Sequence, residues 1–201
     1  CFEAQGLLFS EQLTRGLGEK WHTEDSFTIK PYPMCGFTMA PTDCVLDLVR
    51  EQDIRPEEVE EVVIECPFTF VITGTMWSAV PDMYSRIRDP QGSGWSWIPL
   101  LFDGYYPIAA AIVDREVTPR QFRPERIFDP RIQGLLDKIR LVHDPQLDMA
   151  LVAGRGFGAR VSIRTRQGAV HEKAVSEHRG GPSNPIDAAE KFRTASRDIL
   201  S

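Results

Sequence analysis

The chain has 201 residues, 42% of them apolar and 26% charged, which is enough to bury one sizeable core or two small ones and is the composition of an ordinary globular protein. Twenty-nine acidic against twenty-three basic side chains give a net charge of −6, and no block of consecutive Lys or Arg offers a footprint for a phosphate backbone, so no nucleic-acid partner is expected. No run approaches the ~18 apolar residues that span a bilayer, and the N-terminus lacks the basic-then-apolar plan of a secretory signal, so no membrane contact and a cytoplasmic location are expected.

The first stretch, CFEAQGLLFSEQLTRGLGEKW, begins in the middle of what reads as a helix, with Leu7, Leu8, Phe9 and Leu13 as its apolar members and no initiator methionine. A fragment or a processed chain is expected. Phe27-Thr28-Ile29 alternates briefly like a strand and ends at Lys30. Lys30-Pro31-Tyr32-Pro33 follows, where two prolines fix φ and push their neighbours toward extended geometry, so the lysine enters a stiff turn. Val45, Leu48 and Val49, with Asp43, Asp47 and Arg50 between them, give the rhythm of a helix over residues 41–52 with one buried face. Cys35 and Thr38 occupy the approach to it.

Pro56-Glu57-Glu58 starts a short turn, and Val59 with Val62, Val63 and Ile64 makes a β-branched strand that stops at Pro67. Residues 68–97 are aromatic and punctuated by Gly and Pro, and read as a long irregular stretch with a loop at Pro90-Gln91-Gly92-Ser93-Gly94. Trp95 and Trp97 there fit a core or an interface better than a pocket. Ala109 to Val113 predict a closely packed helix with Pro107 in its first turn. Thr118 caps a helical turn, and Asp129-Pro130 opens another short helix. Residues 139–142 read as a strand, and ARVSIRTRQGAVHEKAV as a hairpin turning at Gly168, so the sheet is expected to be antiparallel. After HRGGPSNP, residues 186–199 predict a polar helix with Ala189, Phe192 and Ala195 on its buried side.

Few side chains suggest chemistry. Cys1, Cys35, Cys44 and Cys66 are irregularly spaced and read as free thiols. His22, His143, His171 and His178 contain no pair at metal-binding helical spacing, there is no Cys-x-x-Cys, and no metal is expected. His171 and His178 are expected at the surface without a role. Gly154-Arg155-Gly156-Phe157-Gly158 precedes a strand instead of following one, so it reads as a turn and not a phosphate loop. By composition alone Lys30 is a solvated surface group.

Lys30-Pro31-Tyr32-Pro33, with Cys35 two residues on and a Thr-x-x-Pro-x-Asp helix start, resembles the KPYPxCRxTHPAID stretch of the MmgE/PrpD family, which includes 2-methylcitrate dehydratase, cis-aconitate decarboxylase and iminodisuccinate epimerase. Residues 106–114 are similar to the family's LPYAVAAALLDG. The tail from Arg160 through Gly180-Gly181-Pro182-Ser183-Asn184-Pro185 to Lys191-Phe192 is similar to its R-V-x-I-x-T-x-x-G, G-x-P-x-N-P and K-F elements. The resemblance implies an α+β fold, a small antiparallel sheet packed with helices, whose terminal helices belong to an all-helical domain outside this chain. The expected divisions are residues 1–24 as the end of that helical domain, 25–182 as the small domain, and 183–201 as a helix returning to it. It further implies a homodimer, no metal or organic cofactor, and a small polycarboxylate substrate bound between the two domains.

On the same basis Lys30 and Tyr106 are expected to be catalytic, Lys30 as an electrostatic anchor and Tyr106 as a hydroxyl donor or acid. Cys35 and Thr38 are expected to bind substrate. Removing a proton beside a carboxylate, with loss of water or carbon dioxide, builds negative charge on oxygen, which an ammonium and a phenol stabilise best where water is excluded. Two positions depart from the family. Met39 stands where a histidine is usual and Gly36 where an arginine is, and a thioether neither accepts nor delivers a proton at neutral pH. Another group does that work, the substrate differs, or the domain binds carboxylates or assembles without catalysis.

Overall fold

The computed structural model describes residues 16, 18, 19, 27–77, 79–80, 82–88, 97–154 and 156–197. The expected helix over the first residues, the Pro90–Gly94 loop, Trp95 and Cys1 lie outside that set.

The fold is α+β and is organised by β1 (Val59–Cys66), whose inward Val62 and Ile64 are fully buried while Glu60 faces solvent. Burying a branched side chain of this size is worth about 1.5–3 kcal/mol, so the alternation fixes which face of the strand points inward. Three strands join it: β2 (Ile139–His143), β3 (Ala159–Thr165) and β4 (Val170–Val175), in the order β2-β1-β3-β4. β3 pairs antiparallel with β1, placing Val161 beside Ile64 and Ile163 beside Val62. β3 and β4 form the hairpin expected from the sequence, with Gly168 at φ +87° in its turn. β2, however, pairs parallel to β1, Val62 opposite Ile139, so the sheet is mixed and not wholly antiparallel. A parallel neighbour needs a long crossover, here everything from residue 67 to residue 138.

α1 (Met39–Glu51) packs on β3 and β4 with one face and on α4 (Tyr106–Asp114) with the other. Sandwiched between sheet and helix, it is buried nearly all round instead of along one stripe, Asp43 included. The crossover is more helical than its sequence suggests. α2 (Phe68–Met76) follows Pro67 directly, and α3 (Met83–Arg88) lies beyond it, where an irregular stretch was expected. α2 turns Phe70 and Gly74 inward. Gly74 meets Gly104 so closely that a Cβ on residue 74 would lie 3.2 Å from the Gly104 Cα, and the Gly104 amide donates to the Gly74 carbonyl at 2.9 Å. That contact, absent from any local pattern, supports a helix of β-branched residues that have little intrinsic helix preference.

α5 (Pro124–Ile127) and α6 (Pro130–Leu136) follow, α6 against α4, and the caps at Thr118 and Asp129 accept from the amides of Arg120 and Arg131 as expected. α7 (Pro145–Val152), capped by Asp144, has no counterpart in the sequence reading. Among the described residues Phe27-Thr28-Ile29 pairs with no named strand and instead attaches by one backbone bond, the Ile29 amide to the Gly180 carbonyl at 2.9 Å. α8 (Ala188–Ser196) forms, but Ala189, Phe192 and Ala195 are exposed, Phe192 at 62%, so its expected buried side has nothing against it among the described residues. Among those residues no helix is long and apolar enough to cross a membrane, and Cys35, Cys44 and Cys66 are free thiols. Gly154, at φ +70°, belongs to a turn, and Phe157 packs edge-on against Phe37 at 5.1 Å.

Candidate active site

The Lys30 turn is pinned on both sides. Before it, Ile29 is bonded to Gly180; after it, the Cys35 amide donates to the Leu101 carbonyl at 2.7 Å. Inside it, the Met34 amide donates to the Tyr32 carbonyl at 2.9 Å, and the Lys30 ammonium folds back to donate to the Met34 carbonyl at 3.2 Å. Lys30 is exposed, and among the described residues its ammonium bonds only the Met34 carbonyl, which leaves two of its three hydrogens without a partner there.

Under the turn lies a polar centre that the sequence reading did not identify. The Tyr32 hydroxyl donates to Asp43 Oδ1 at 2.6 Å; Arg179 donates to the same carboxylate through its backbone amide at 2.7 Å and its Nε at 2.9 Å, and reaches Asp47 from Nη2 at 3.2 Å. Asp43 is only 2% exposed. Burial, then the adjacent Asp43 charge, raises the Tyr32 phenol far above its usual range, so it remains a permanent donor. His178, expected at the surface, is buried, and its Nδ1 has no partner among the described residues. Burial lowers its pKa, which keeps the ring neutral near Lys30.

Cys35 is half-buried and Thr38 fully buried; the Thr38 amide donates to the Cys35 carbonyl at 3.2 Å, and Thr38 Oγ1 has no partner among the described residues. Met39, next in the chain, is also fully buried. Lys30, Cys35 and Thr38 therefore lie on one continuous segment leading into α1, with Thr38 closing a 3-10 turn over Gly36–Thr38.

Tyr106 comes from another element. It opens α4, where its amide donates to Asp103 Oδ2 at 2.7 Å, and its side chain is fully buried with the hydroxyl donating to the Gln121 carbonyl. Burial raises its pKa, so this phenol is a donor and not a base at neutral pH. The Gln121 side chain is itself fixed, accepting from the Thr118 amide at 2.8 Å and donating to Asp114 at 2.9 Å. No hydrogen bond among the described residues joins Tyr106 to Lys30.

Asp103 also went unnoticed in the sequence. It is 1% exposed, its Oδ1 has no partner among the described residues, and burial pushes its carboxyl up to about 6 although amides of the following residues oppose the rise. A cavity of about 560 Å³ adjoins it, lined by Tyr84, Tyr105 and Gln133. A second cavity of about 440 Å³ lies beside the Lys30 turn, between Pro31, Tyr32 and Pro33 on one side and Lys191 and Thr194 of α8 on the other. No group of three or more His, Cys, Asp or Glu among the described residues is arranged to hold a metal ion.

Residues 102–201, about half the chain, match the model of the MmgE/PrpD C-terminal domain. The chain belongs to the MmgE/PrpD family. A search of the curated proteins found no match. The MmgE/PrpD match covers Tyr106, the β3–β4 hairpin, Arg179 and α8, whereas the Lys30 turn and α1 precede it.

Proposed function

We propose that this MmgE/PrpD chain is the C-terminal α+β domain of a cofactor-independent lyase or isomerase of the dehydratase/decarboxylase type, acting on a small di- or tricarboxylate such as 2-methylcitrate or cis-aconitate. The observation that carries the reading is the doubly pinned turn, which presents an exposed ammonium on a fixed backbone. Lys30 anchors a substrate carboxylate and opposes the charge that develops on its oxygens when the neighbouring proton leaves. Cys35 and Thr38 line the approach. Tyr106 donates a hydrogen bond to substrate once it exchanges the Gln121 carbonyl for it, and its raised pKa suits a donor. An all-helical lobe closes over the turn and excludes water, the protein works as a cytoplasmic homodimer, and this domain alone is inactive.

A second reading, a non-catalytic carboxylate-binding or assembly domain, draws on the fully buried thioether of Met39 at the family's histidine position and on the internal bond of Tyr106. One experiment separates them. The full-length protein and its Lys30→Ala variant are offered 2-methylcitrate and cis-aconitate, with product formation and thermal shift both recorded. Turnover that falls ~10²-fold or more in the variant supports the enzyme. Wild-type turnover in the variant removes Lys30 from the mechanism, and binding without product in the unmodified protein favours the second reading.

A further inference from the structure

Following the contacts outward from Lys30 gives a closed ring. Ile29 is bonded to Gly180; Gly180 follows Arg179; Arg179 holds Asp43 from two atoms; Asp43 accepts from Tyr32; and Pro31 alone separates Tyr32 from Lys30. Each link has little slack. Pro31 and Pro33 restrict the backbone on either side of Tyr32. Gly180 sits at φ +89° with the Ile29 carbonyl so near that a Cβ would lie 1.9 Å from its oxygen. Asp43 rises from the second turn of α1, an element clasped between sheet and α4. One buried carboxylate thus ties the chain on both sides of Lys30 to a helix packed between the sheet and α4.

We infer that Asp43 is a positioning residue for Lys30: through Tyr32 and Arg179 it fixes where the ammonium stands, without itself touching substrate, a role that presupposes the anchoring function of Lys30 proposed above. Asp43 is too deeply buried to meet a ligand, and its oxygens are already taken by three donors. The Tyr32 hydroxyl is the one link removable without a new atom or a charge change, because phenylalanine fills the same ring volume.

The test uses full-length protein with Tyr32→Phe, Lys30→Ala and the double variant, and citrate as the probe ligand. Amide exchange at Ile29, reporting its bond to Gly180, is expected to accelerate about tenfold in Tyr32→Phe, the size expected from losing one bond to a charged group, while Val62 in β1 is unchanged. Citrate affinity is expected to fall about tenfold in Tyr32→Phe and further in Lys30→Ala, with the double variant no weaker than Lys30→Ala alone, because Tyr32 acts only through the lysine. In any turnover assay Tyr32→Phe raises KM more than it lowers kcat.

Unchanged exchange at Ile29, or losses that simply add in the double variant, overturn the positioning role. Citrate binding that survives Lys30→Ala intact instead overturns the anchoring function, and with it any role for Asp43 in placing a ligand group, even if Ile29 responds as described. Tyr32→Ala, which removes the ring as well, is the comparison for global damage: if Val62 exchange accelerates in Tyr32→Phe as it does there, the effect is structural and the proposal fails.

Discussion

Gly180 meets the carbonyl of Ile29 with no room for a side chain, a Cβ on residue 180 falling 1.9 Å from that oxygen. Gly180→Ala must therefore open the bond between the two residues and also pay for a left-handed φ of +89°. The expected loss is about 3 kcal/mol or more in urea denaturation. Gly168→Ala provides the calibration, since residue 168 has nearly the same φ, +87°, with nothing within 4 Å of its Cβ, and should lose only about 1 kcal/mol. Equal losses in the two variants would show that the close approach costs nothing.

Asp43 accepts bonds from Tyr32 and twice from Arg179 in an almost dry site. Asp43→Ala strands all of these donors, and breaking a buried ion pair by deleting one partner costs about 3–5 kcal/mol. Calorimetric unfolding of Asp43→Ala and of Arg50→Ala compares this with a cation at the surface. Arg50 is exposed and among the described residues is bonded only to the Arg115 carbonyl, and its loss should cost less than about 1 kcal/mol.

Asp103 sets a pH dependence of unusual sign for a carboxylate. Its folded-state pKa of about 6 lies above the ordinary 3.8, so the folded chain holds a proton that the unfolded chain releases first. The stabilisation is complete below pH 3.8 and is lost as pH rises to about 6, a total of about 3 kcal/mol. Asp103→Asn keeps an acceptor for the amides of Tyr105 and Tyr106 but cannot ionise. Subtracting its stability curve from that of the parent chain should leave a fall between pH 4 and 6; a level difference would rule out a raised pKa.

Thiol chemistry should divide the cysteines. Burial pushes Cys44 and Cys66 up to about 12, so at pH 8 both remain protonated and shielded. Peptide mapping after treatment with a maleimide is expected to find neither modified in the native protein and both modified in guanidinium, with Cys35, half-buried, reacting before them. Native labelling of Cys44 within minutes would mean that α1 opens far more readily than its packing allows.

Much of the scaffold was legible because its signals are local. The β-branched run of β1, the turn at Gly168 and the caps at Thr118 and Asp129 need only a few neighbouring residues to be recognised, and each forms where the pattern puts it. The stiffness of the Lys30 turn was likewise readable from its prolines. What escaped depends on distance along the chain. Asp43 occupies a polar position in the helical rhythm and is buried because α1 lies between the sheet and α4 and because Arg179, 136 positions away, bonds to it. His178 is carried under cover with it. The helicity of α2 rests on Gly74 meeting Gly104, and the parallel pairing of β1 with β2 leaves no trace in either strand. α7 is a different case: Asp144 and Pro145 are ordinary start signals, but β2 runs straight into them and masks the start.

The central place of β1 in the sheet has a consequence for biosynthesis. Both of its neighbours are made later: Glu61 waits for Arg140, 79 positions downstream, and for Arg164, 103 positions downstream. At roughly 5–20 residues per second the ribosome leaves this β-branched segment single for about 4–16 s before the first of them emerges. During that interval Glu60, Glu61 and Glu65 interrupt an otherwise sticky run, serving as gatekeepers against self-association of nascent chains before they find their arginines in the finished sheet.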